Sequence, residues 1–460
     1  MLTSDQAHDL FSRVLRYSQA DETELLIAGG RSALSRFANN AITQNVAEEN
    51  YILSLRVVFG GRTARATTNK FDEASIERLV KAASGLAKVQ HPDADLLPLA
   101  DKAAFSPNGH PIKRAFGESA SITPEERAHA IEQMVKIAGR HKLTAAGIFS
   151  CSESIEAVLN SRQLAAFHTQ TSSEISVTML GKDSSGWNKA NSPNVRDLDA
   201  THLAEIAAEK AMQSAGPREL PAGKYTVILE PAAVLDLVGF MFWDWGGQAV
   251  LDERSFLNNR IAQQVFGENI QIADDVYHPL QTGASFDGEG VRRQRVQLVE
   301  HGIVRRLVYA RGTAEKMRKS PWAAKVGPIE ATGHGFPLPN AMGEAPLNIV
   351  FTAPGETRRV EQMIAGTERG ILVTRMWYIR EVDPYEKILT GMTRDGTFLV
   401  EDGKIRGGLR NFRFNQSLIE MLRNVEQMSE PVRASGEESF DMVVPAMKVR
   451  DFNFTEVTKF

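Results

Sequence analysis

The sequence predicts an α+β protein with two domains, and three observations support this prediction. The chain has 460 residues, which is more than one ordinary domain contains. Segments with the period of a strand and segments with the period of a helix both occur along it. A stretch rich in proline and glycine, residues 215–223, separates two halves. We therefore expect a mixed α/β N-terminal domain over residues 1–217 and a sheet-rich C-terminal domain over residues 218–460.

The N-terminal half combines helical and strand patterns. Thr123 is a good N-cap, Pro124 fits the first helical position and Glu126 the third, so a capping box starts a helix here. Tyr51 to Phe59 alternates with a period of two, which is typical of a strand. The predicted elements are a helix over 4–18, strands over 24–28 and 51–59, a helix over 72–86, a Pro-rich connection over 91–112, a helix from 123, strands over 144–181 and a helix over 199–214.

The C-terminal half is expected to be mostly strands and turns. A strand over 225–229 leads into a helix over 231–245, which is apolar on nearly every side and is therefore expected to be buried. Further predictions are a helix over 416–427, a mobile polar loop over 429–440 and a strand over 443–449.

One phrase of the C-terminal half occurs twice. Residues 298–304 read LVEHGIV, and residues 399–405 read LVEDGKI. Each copy predicts a strand, a tight turn with glycine and a second strand. An acidic residue and a glycine precede each copy, Asp287-Gly288 and Asp395-Gly396, and we expect a turn at both.

Composition excludes several classes of protein. The formal net charge is -4 and no long basic stripe occurs, which argues against nucleic acid as a partner. No apolar run approaches the roughly 20 residues of a membrane span. The single cysteine, Cys151, excludes an internal disulfide and fits a reducing compartment. The N-terminus lacks the pattern of a signal peptide. We expect a cytoplasmic protein without a membrane partner.

Common catalytic motifs are absent. The sequence contains no Walker phosphate loop, no dinucleotide-binding glycine motif, no Gly-x-Ser-x-Gly and no His-Glu-x-x-His. No two of the ten histidines lie within five residues of each other, so one helical turn cannot supply two imidazoles. A site assembled from distant histidines, or a Ser/His/Asp arrangement across the fold, stays open.

An ordered set of short motifs resembles a known family. The set consists of Lys224-Tyr225-Thr226-Val227-Ile228-Leu229-Glu230-Pro231, then residues 255–257, 272–275, 285–290, 332–335, 390–396, 403–405 and 424–425. These motifs follow in the order found in the TldD/PmbA family, once named modulators of DNA gyrase. The resemblance spans nearly the whole chain and is looser in the N-terminal half.

The resemblance implies a role without chemistry of its own. TldD-type members are zinc peptidases with His-Glu-x-x-x-His on the helix after the first C-terminal strand. The corresponding positions here, residues 238–243, contain no ligand, and Asp236 and Asp244 are the only carboxylates on this helix. The chain thus resembles the TldE/PmbA branch. We expect no catalytic residue and no metal in this chain, inactivity alone, and a heterodimer with a zinc-bearing TldD-like subunit that acts on unfolded peptides.

Five residues are candidates for holding a peptide. The candidate residues are Arg254, His334, Thr390, Gly391 and Arg413. Arg254 and Arg413 could each bind a carboxylate or a backbone carbonyl of a peptide, and the alternative is a structural ion pair. His334 lies in a glycine-containing turn where it either faces substrate or is only a turn residue. The aromatic segment 240–245 is interpreted as core, with a peptide groove or a subunit contact as alternatives.

Two other functions remain open. The first is a stand-alone homodimeric peptidase or hydrolase with a non-standard site, in which His334 or His278 would be essential. The second is a regulatory protein that binds one peptide or protein partner and has no peptidase attached. The sequence does not identify the substrate.

Overall fold

The computed structural model describes residues 1–105 and 113–458, so part of the predicted connection over 91–112 lies outside the described residues. The α+β class is confirmed, since several helices pack against three sheets. Among the described residues, no helix combines the length and the apolar character that crossing a membrane requires.

The N-terminal half is built on one antiparallel sheet. Its strands are β1 (Glu22–Ala38), β2 (Ala41–Phe59), β3 (Arg62–Thr68), β4 (Thr144–Asn160), β5 (Ala165–Leu180) and β6 (Ser185–Ser192). They pair in the order β3-β2-β1-β4-β5-β6.

Helices cover one face of this sheet in two separate groups. The helices are α1 (Ser4–Tyr17), α2 (Glu73–Lys88), α3 (Gly117–Ala120), α4 (Pro124–Arg140) and α5 (Ala200–Gln213). Helices α1 and α2 bury an apolar cluster that includes Leu25 and Leu53. Helices α4 and α5 bury a second cluster that includes Phe37 and Phe149. The register pairs odd-numbered residues of β1 with odd-numbered residues of β2 and β4, and all four residues have odd numbers, so both clusters lie on the same face of the sheet.

The predicted capping box at α4 is confirmed. The backbone N–H of Glu126 donates to the Thr123 hydroxyl at 3.2 Å, and the Glu126 carboxylate accepts from the Thr123 N–H at 2.7 Å. The strands predicted over 24–28 and 51–59 were too short, because β1 and β2 continue to a tight turn at Asn39 and Asn40. The missed part of β2 is exposed and therefore lacks an apolar alternation.

The C-terminal half contains a closed ring of strands. Its strands are β7 (Gly223–Leu229), β8 (Gln271–Asp274), β9 (Val296–Glu300), β10 (Ile303–Val304), β11 (Ile349–Thr352), β12 (Arg369–Asp383), β13 (Ile388–Glu401), β14 (Lys404–Gly408), β15 (Phe412–Ser417), β16 (Val425–Met428), β17 (Val432–Ala434), β18 (Met442–Val444) and β19 (Met447–Val457). The pairing runs β12-β7-β19-β15-β13, and β12 also pairs with β13, so these five strands close on themselves.

A second sheet and a large core complete this half. The sheet has the order β10-β9-β8-β11-β18-β17. The helices are α6 (Pro231–Val238), α7 (Gly247–Leu251), α8 (Arg311–Arg318), α9 (Val360–Ala365) and α10 (Leu418–Arg423). One continuous apolar cluster, which includes Trp245 and Phe412, fills the space between them. A smaller cluster, with Val158 and Phe286, joins the two halves of the chain.

The helix predicted over 231–245 is buried as expected but not uniform. It consists of α6 and a 3-10 helix over Gly239–Asp244. The helix predicted over 416–427 was too long, since α10 ends at Arg423 and β16 follows. The chain turns into β16 because this segment pairs with β19.

Both copies of the repeated phrase form the predicted hairpins. Gly302 and Gly403 adopt positive φ values of 76° and 71° in the two turns. The carbonyl of Asp287 accepts a hydrogen bond from the N–H of Gly290, which makes the first predicted acidic turn. The second prediction was wrong, because Asp395 lies inside β13, where its carboxylate pairs with buried Arg375.

Candidate functional site

The helix after β7 has no metal ligand at residues 238–243, the positions that correspond to His-Glu-x-x-x-His of TldD-type members. Residues 238–243 are valine, glycine, phenylalanine, methionine, phenylalanine and tryptophan. Met241 and Phe242 are buried in the core, while Trp243 is 44% exposed and its ring lies 6.2 Å from that of Phe336. The segment 240–245 is therefore largely core, as the sequence indicated, and one aromatic side chain lies at the surface.

Asp236 ties a distant loop to this helix. Its side chain is 0% exposed, and its Oδ1 accepts hydrogen bonds from the N–H groups of Glu437 and Glu438, both at 3.0 Å. A Cβ atom on Gly436 would stand 2.1 Å from the same oxygen. Burial raises the pKa of Asp236 to about 7. The carboxylate thus holds residues 436–438 against α6.

The segment over 429–440 is therefore not the free loop that its composition predicted. Its residues Val432–Ala434 form β17, which pairs with β18. The Glu438 carboxylate accepts the N–H of Tyr378 at 2.7 Å, and Lys189 of the N-terminal sheet donates to the Gly436 carbonyl at 3.0 Å. A polar sequence is compatible with fixed structure when each polar group finds a partner.

Asp244, the other carboxylate of the helix, is engaged in a buried ion pair. It lies against Lys387, whose Nζ is also 2.7 Å from Glu381 Oε1. Burial raises the pKa of Asp244 to about 6, although Lys387 opposes this shift. Two carboxylates thus compensate one lysine in this corner of the fold.

These residues do not fit a zinc ion. Zinc in proteins takes imidazole, thiolate and carboxylate donors, usually four. The oxygen Oδ1 of Asp236 is occupied by two N–H groups, and Asp244 is paired with Lys387. Over residues 1–105 and 113–458, no three His, Cys, Asp or Glu side chains form a group that could hold a metal ion. The helix offers a structural anchor where the TldD-type pattern has ligands.

A cleft of about 350 Å³ lies between the N-terminal sheet and the C-terminal half. Leu26 and Glu156 are on its sheet side, and Phe336 and His334 are on the other side. His334 is 1% exposed. Its Nε2 lies 2.9 Å from Asp274 Oδ1. Burial acts to raise the pKa of Asp274, but the interaction with His334 outweighs it and lowers the pKa below its ordinary value.

Two buried carboxylates stand behind the cleft. Asp287 accepts three backbone hydrogen bonds, from Glu289, Val291 and Gly335, at 2.7 to 2.9 Å. Burial, and next the charge of Asp287, raise the pKa of Glu289 to about 7. Arg311 lies 3.6 Å from Glu289. These contacts fix the loops that form the C-terminal wall of the cleft.

The five predicted binding residues lie in three separate places of the fold. Arg254 is half exposed and pairs with Asp252 at 3.3 Å, and His334 belongs to the cleft wall. The other three residues are on two neighbouring strands, Thr390 and Gly391 on β13 and Arg413 on β15. Their peptide-binding role stays a prediction.

Strand β2 has an open edge. Its neighbour β3 pairs only with Leu53–Phe59, and no other strand among the described residues pairs with the outer side of residues 41–52. All of residues 41–50 are exposed. Val46 is 39% exposed, and the edge contains neither proline nor lysine, so Glu48 and Glu49 are its only charged residues. At the opposite edge, the carbonyl of Arg114 accepts the N–H of Thr171 in β5.

Sequence reasoning missed this edge and the role of Asp236. The edge had one usable signal, since residues 31–59 contain no glycine or proline that would end a strand. Asp236 was recognised as a carboxylate on the helix, but its partners are 201 and 202 residues away in the chain. No local pattern connects such residues.

Comparisons with known proteins agree with this description. The family model described as the PmbA/TldA metallopeptidase C-terminal domain matches residues 222–456, and the model for domain 1 of the same family matches residues 23–87. Metalloprotease PmbA of Escherichia coli O157:H7 is 21% identical over 458 residues, covering 94% of this chain and 95% of that protein. The PmbA homologue of Haemophilus influenzae is 23% identical and covers 86% and 85%.

The fold also has a close structural relative. The crystal structure of TldE from Thermococcus kodakarensis superimposes with a TM-score of 0.85 at 19% identity, covering 98% of this chain and 100% of that one. The family model for the C-terminal domain alone spans more than half of the 460 residues. The chain therefore belongs to the PmbA/TldD metallopeptidase family, as the ordered motifs of its sequence predicted.

Proposed function

We propose that this chain is a non-catalytic, TldE-like subunit of a two-chain metallopeptidase. Its partner is a TldD-like subunit that carries His-Glu-x-x-x-His and the zinc ion. In this complex the present chain forms part of the wall around the site and holds an unfolded peptide in an extended conformation. The single observation that carries the proposal is the helix after β7, which contains no imidazole and whose two carboxylates are both engaged.

The open edge of β2 supports a role in holding peptides. An extended peptide pairs with such an edge through main-chain hydrogen bonds, which depend little on its sequence. The edge offers residues 41–52 for this pairing. Unfolded substrates have free backbone groups, whereas a folded protein has already paired them. Strand addition therefore suits the proposed substrate.

The buried histidine gives little support to a stand-alone hydrolase. Thr332, His334 and Asp274 follow one another through contacts of 2.9 Å, in the manner of a nucleophile, a base and an acid. However, Thr332 is 0% exposed, and its hydroxyl contacts the backbone of Tyr309 at 2.8 and 3.2 Å. A peptide bond cannot reach this hydroxyl, so the arrangement stabilises the turn.

The test is reconstitution with the TldD-like protein of the same organism. We expect the two purified chains to form a one-to-one complex in size-exclusion chromatography, with about one zinc ion per complex. Cleavage of an unfolded peptide should require both chains. In the control, the glutamate of His-Glu-x-x-x-His in the partner is replaced by glutamine, and cleavage should be lost while the complex remains.

One outcome would contradict the proposal directly. If this chain alone cleaved peptides and lost that activity with a chelator, it would be an enzyme with a metal site of its own. If it formed no complex and cleaved nothing, the binding-protein interpretation would replace the proposed function.

A further inference from the structure

A trough crosses the helix-covered face of the N-terminal sheet between the two groups of helices. Helices α1 and α2 cover one part of this face, and α4 and α5 cover the other. Between them the sheet residues are small or charged and leave a space of about 380 Å³. Ala33, Ala47 and Cys151 lie in this space, and Ile122 lies beside it. The bottom of the trough is therefore apolar.

The trough reaches the open edge of the sheet. Its lining includes residues 47–49 of β2, and these belong to the part of β2 whose outer side has no partner among the described residues. Neighbouring strands lie about 4.8 Å apart, and alternate side chains of a strand point to the same face. A peptide strand paired with β2 would thus place every second side chain on the face of the trough, next to Ala47.

The charge around the trough is negative. Arg31 stands between Glu49 and Glu153 in the strand register, and its guanidinium lies 3.0 Å from Glu49. Glu153 has no ion-pair partner among the residues that the structure describes, and Glu48 contacts only the Ser32 hydroxyl, at 3.2 Å. Glu48 lies on the opposite face of the sheet, so two carboxylates, Glu49 and Glu153, face one cation.

An apolar bottom with an uncompensated carboxylate matches a long basic side chain. Lysine and arginine bury an aliphatic stem and keep the charged end at a polar rim. Glu153 lies on β4, two strands inside the edge, so the added cation would contact Glu49 on β2 and leave Arg31 to compensate Glu153. An acidic side chain would be repelled by Glu49 and Glu153, and an apolar side chain would leave both as they are.

We propose that this trough binds a lysine or arginine side chain of an extended peptide that pairs with β2. The proposal rests on the proposed function, since it assigns the site at which the subunit holds its peptide. It adds a preference for a basic residue, which main-chain pairing alone would not give. Pairing with a second copy of this chain would use the same edge and is one outcome of the test.

The test compares two fluorescent peptides with the purified chain. Both are capped, extended, threonine-rich octapeptides, one with a central lysine and one with norleucine, which keeps the stem without the charge. We expect the lysine peptide to bind about tenfold tighter in fluorescence anisotropy. Glu153→Gln should reduce this ratio to about one and leave norleucine binding unchanged. Glu205→Gln, a change at an exposed helical glutamate, should leave the ratio intact.

A second variant tests the edge itself. Val46→Lys should weaken binding of both peptides, because a lysine on an edge strand disfavours pairing with a further strand. Val89→Lys, at a residue that is 77% exposed at the end of α2, should not. Hydrogen exchange should show peptide-dependent protection of residues 41–50. Circular dichroism of each variant verifies that it is folded.

Several results would overturn the inference. Equal affinity for the two peptides, or a preference that survives Glu153→Gln, would remove the basic subsite. A dimer that Val46→Lys dissociates and that peptide does not displace would assign the edge to a second copy. If the two-chain complex cleaves peptides but the trough shows no preference, the proposed function stands and this inference fails. If the trough prefers the lysine peptide but the two chains form no complex, this inference stands and the proposed function fails.

Discussion

Replacing Asp236 by asparagine should change how the stability of the protein depends on pH. Burial raises the pKa of Asp236 from an ordinary 3.8 to about 7. The folded state therefore holds a proton that the unfolded state releases, and stability falls as pH rises from about 4 to about 7. Between pH 5 and pH 8 the free energy of unfolding falls by about 2.7 kcal/mol. The fall occurs over the roughly two pH units between pH 5 and the pKa of about 7, at about 1.36 kcal/mol per unit.

An asparagine side chain at this position would keep the acceptor oxygen for the N–H groups of Glu437 and Glu438 but would not titrate. When pH rises from 5 to 8, the free energy of unfolding of Asp236→Asn should thus increase by about 2.7 kcal/mol relative to that of the wild type. Urea unfolding at both pH values measures this difference, in which the other buried carboxylates cancel because both proteins contain them. Asp95→Asn, at an exposed position, is the control. Parallel pH profiles for Asp236→Asn and wild type would refute the reasoning.

Three further predictions follow from the same contacts. Gly436→Ala should destabilise the protein by about 2 kcal/mol or more and expose its loop to limited proteolysis, whereas Gly85→Ala, with no atom near its Cβ position, should be neutral or stabilising. Arg375→Ala should cost about 3–5 kcal/mol in urea unfolding because it leaves Asp395 buried without its main partner, while exposed Arg369→Ala should cost less than about 1 kcal/mol. A chelator should leave the Tm of the isolated chain unchanged in scanning calorimetry, since its described residues form no group that could hold a metal ion; a fall in Tm would reveal such a site.

Local features of the fold could be predicted because a few neighbouring residues determine them. The capping box at Thr123 fixes the start of α4, and the glycines at 302 and 403 fix two hairpin turns through their positive φ. The buried nature of the helix after β7 followed from apolar residues on every side. In each case the cause lies within a few residues of its effect.

Features that depend on distant partners could not be predicted. The segment 435–440 is polar and acidic, and such a composition usually belongs to a solvated loop. Here Asp236, about 200 residues earlier, accepts its N–H groups and holds it in place. The exposed half of β2 was not predicted as a strand for a related reason. Its pairing with β1 determines its conformation, and it buries no face that would show as an alternation.

The N-terminal sheet and the strand ring of the C-terminal half differ in their edges, and this contrast supports a use for β2. In the C-terminal half, β12 pairs on both sides and closes a five-stranded ring, which removes two edges. In the N-terminal half, the backbone of residues 41–52 stays open on one side.

An open edge of this length promotes unwanted association, and proteins normally protect it with lysine, proline or a covering loop. The segment 41–52 contains no lysine or proline, its only charged residues are Glu48 and Glu49 beside the trough, and no described strand covers it. A structure that closes five strands into a ring and leaves the edge of β2 exposed beside an acidic trough is better explained if a strand from another chain pairs there. Val46→Lys is therefore informative on its own, because a lysine at this position should cost a merely structural edge nothing and a binding edge its affinity.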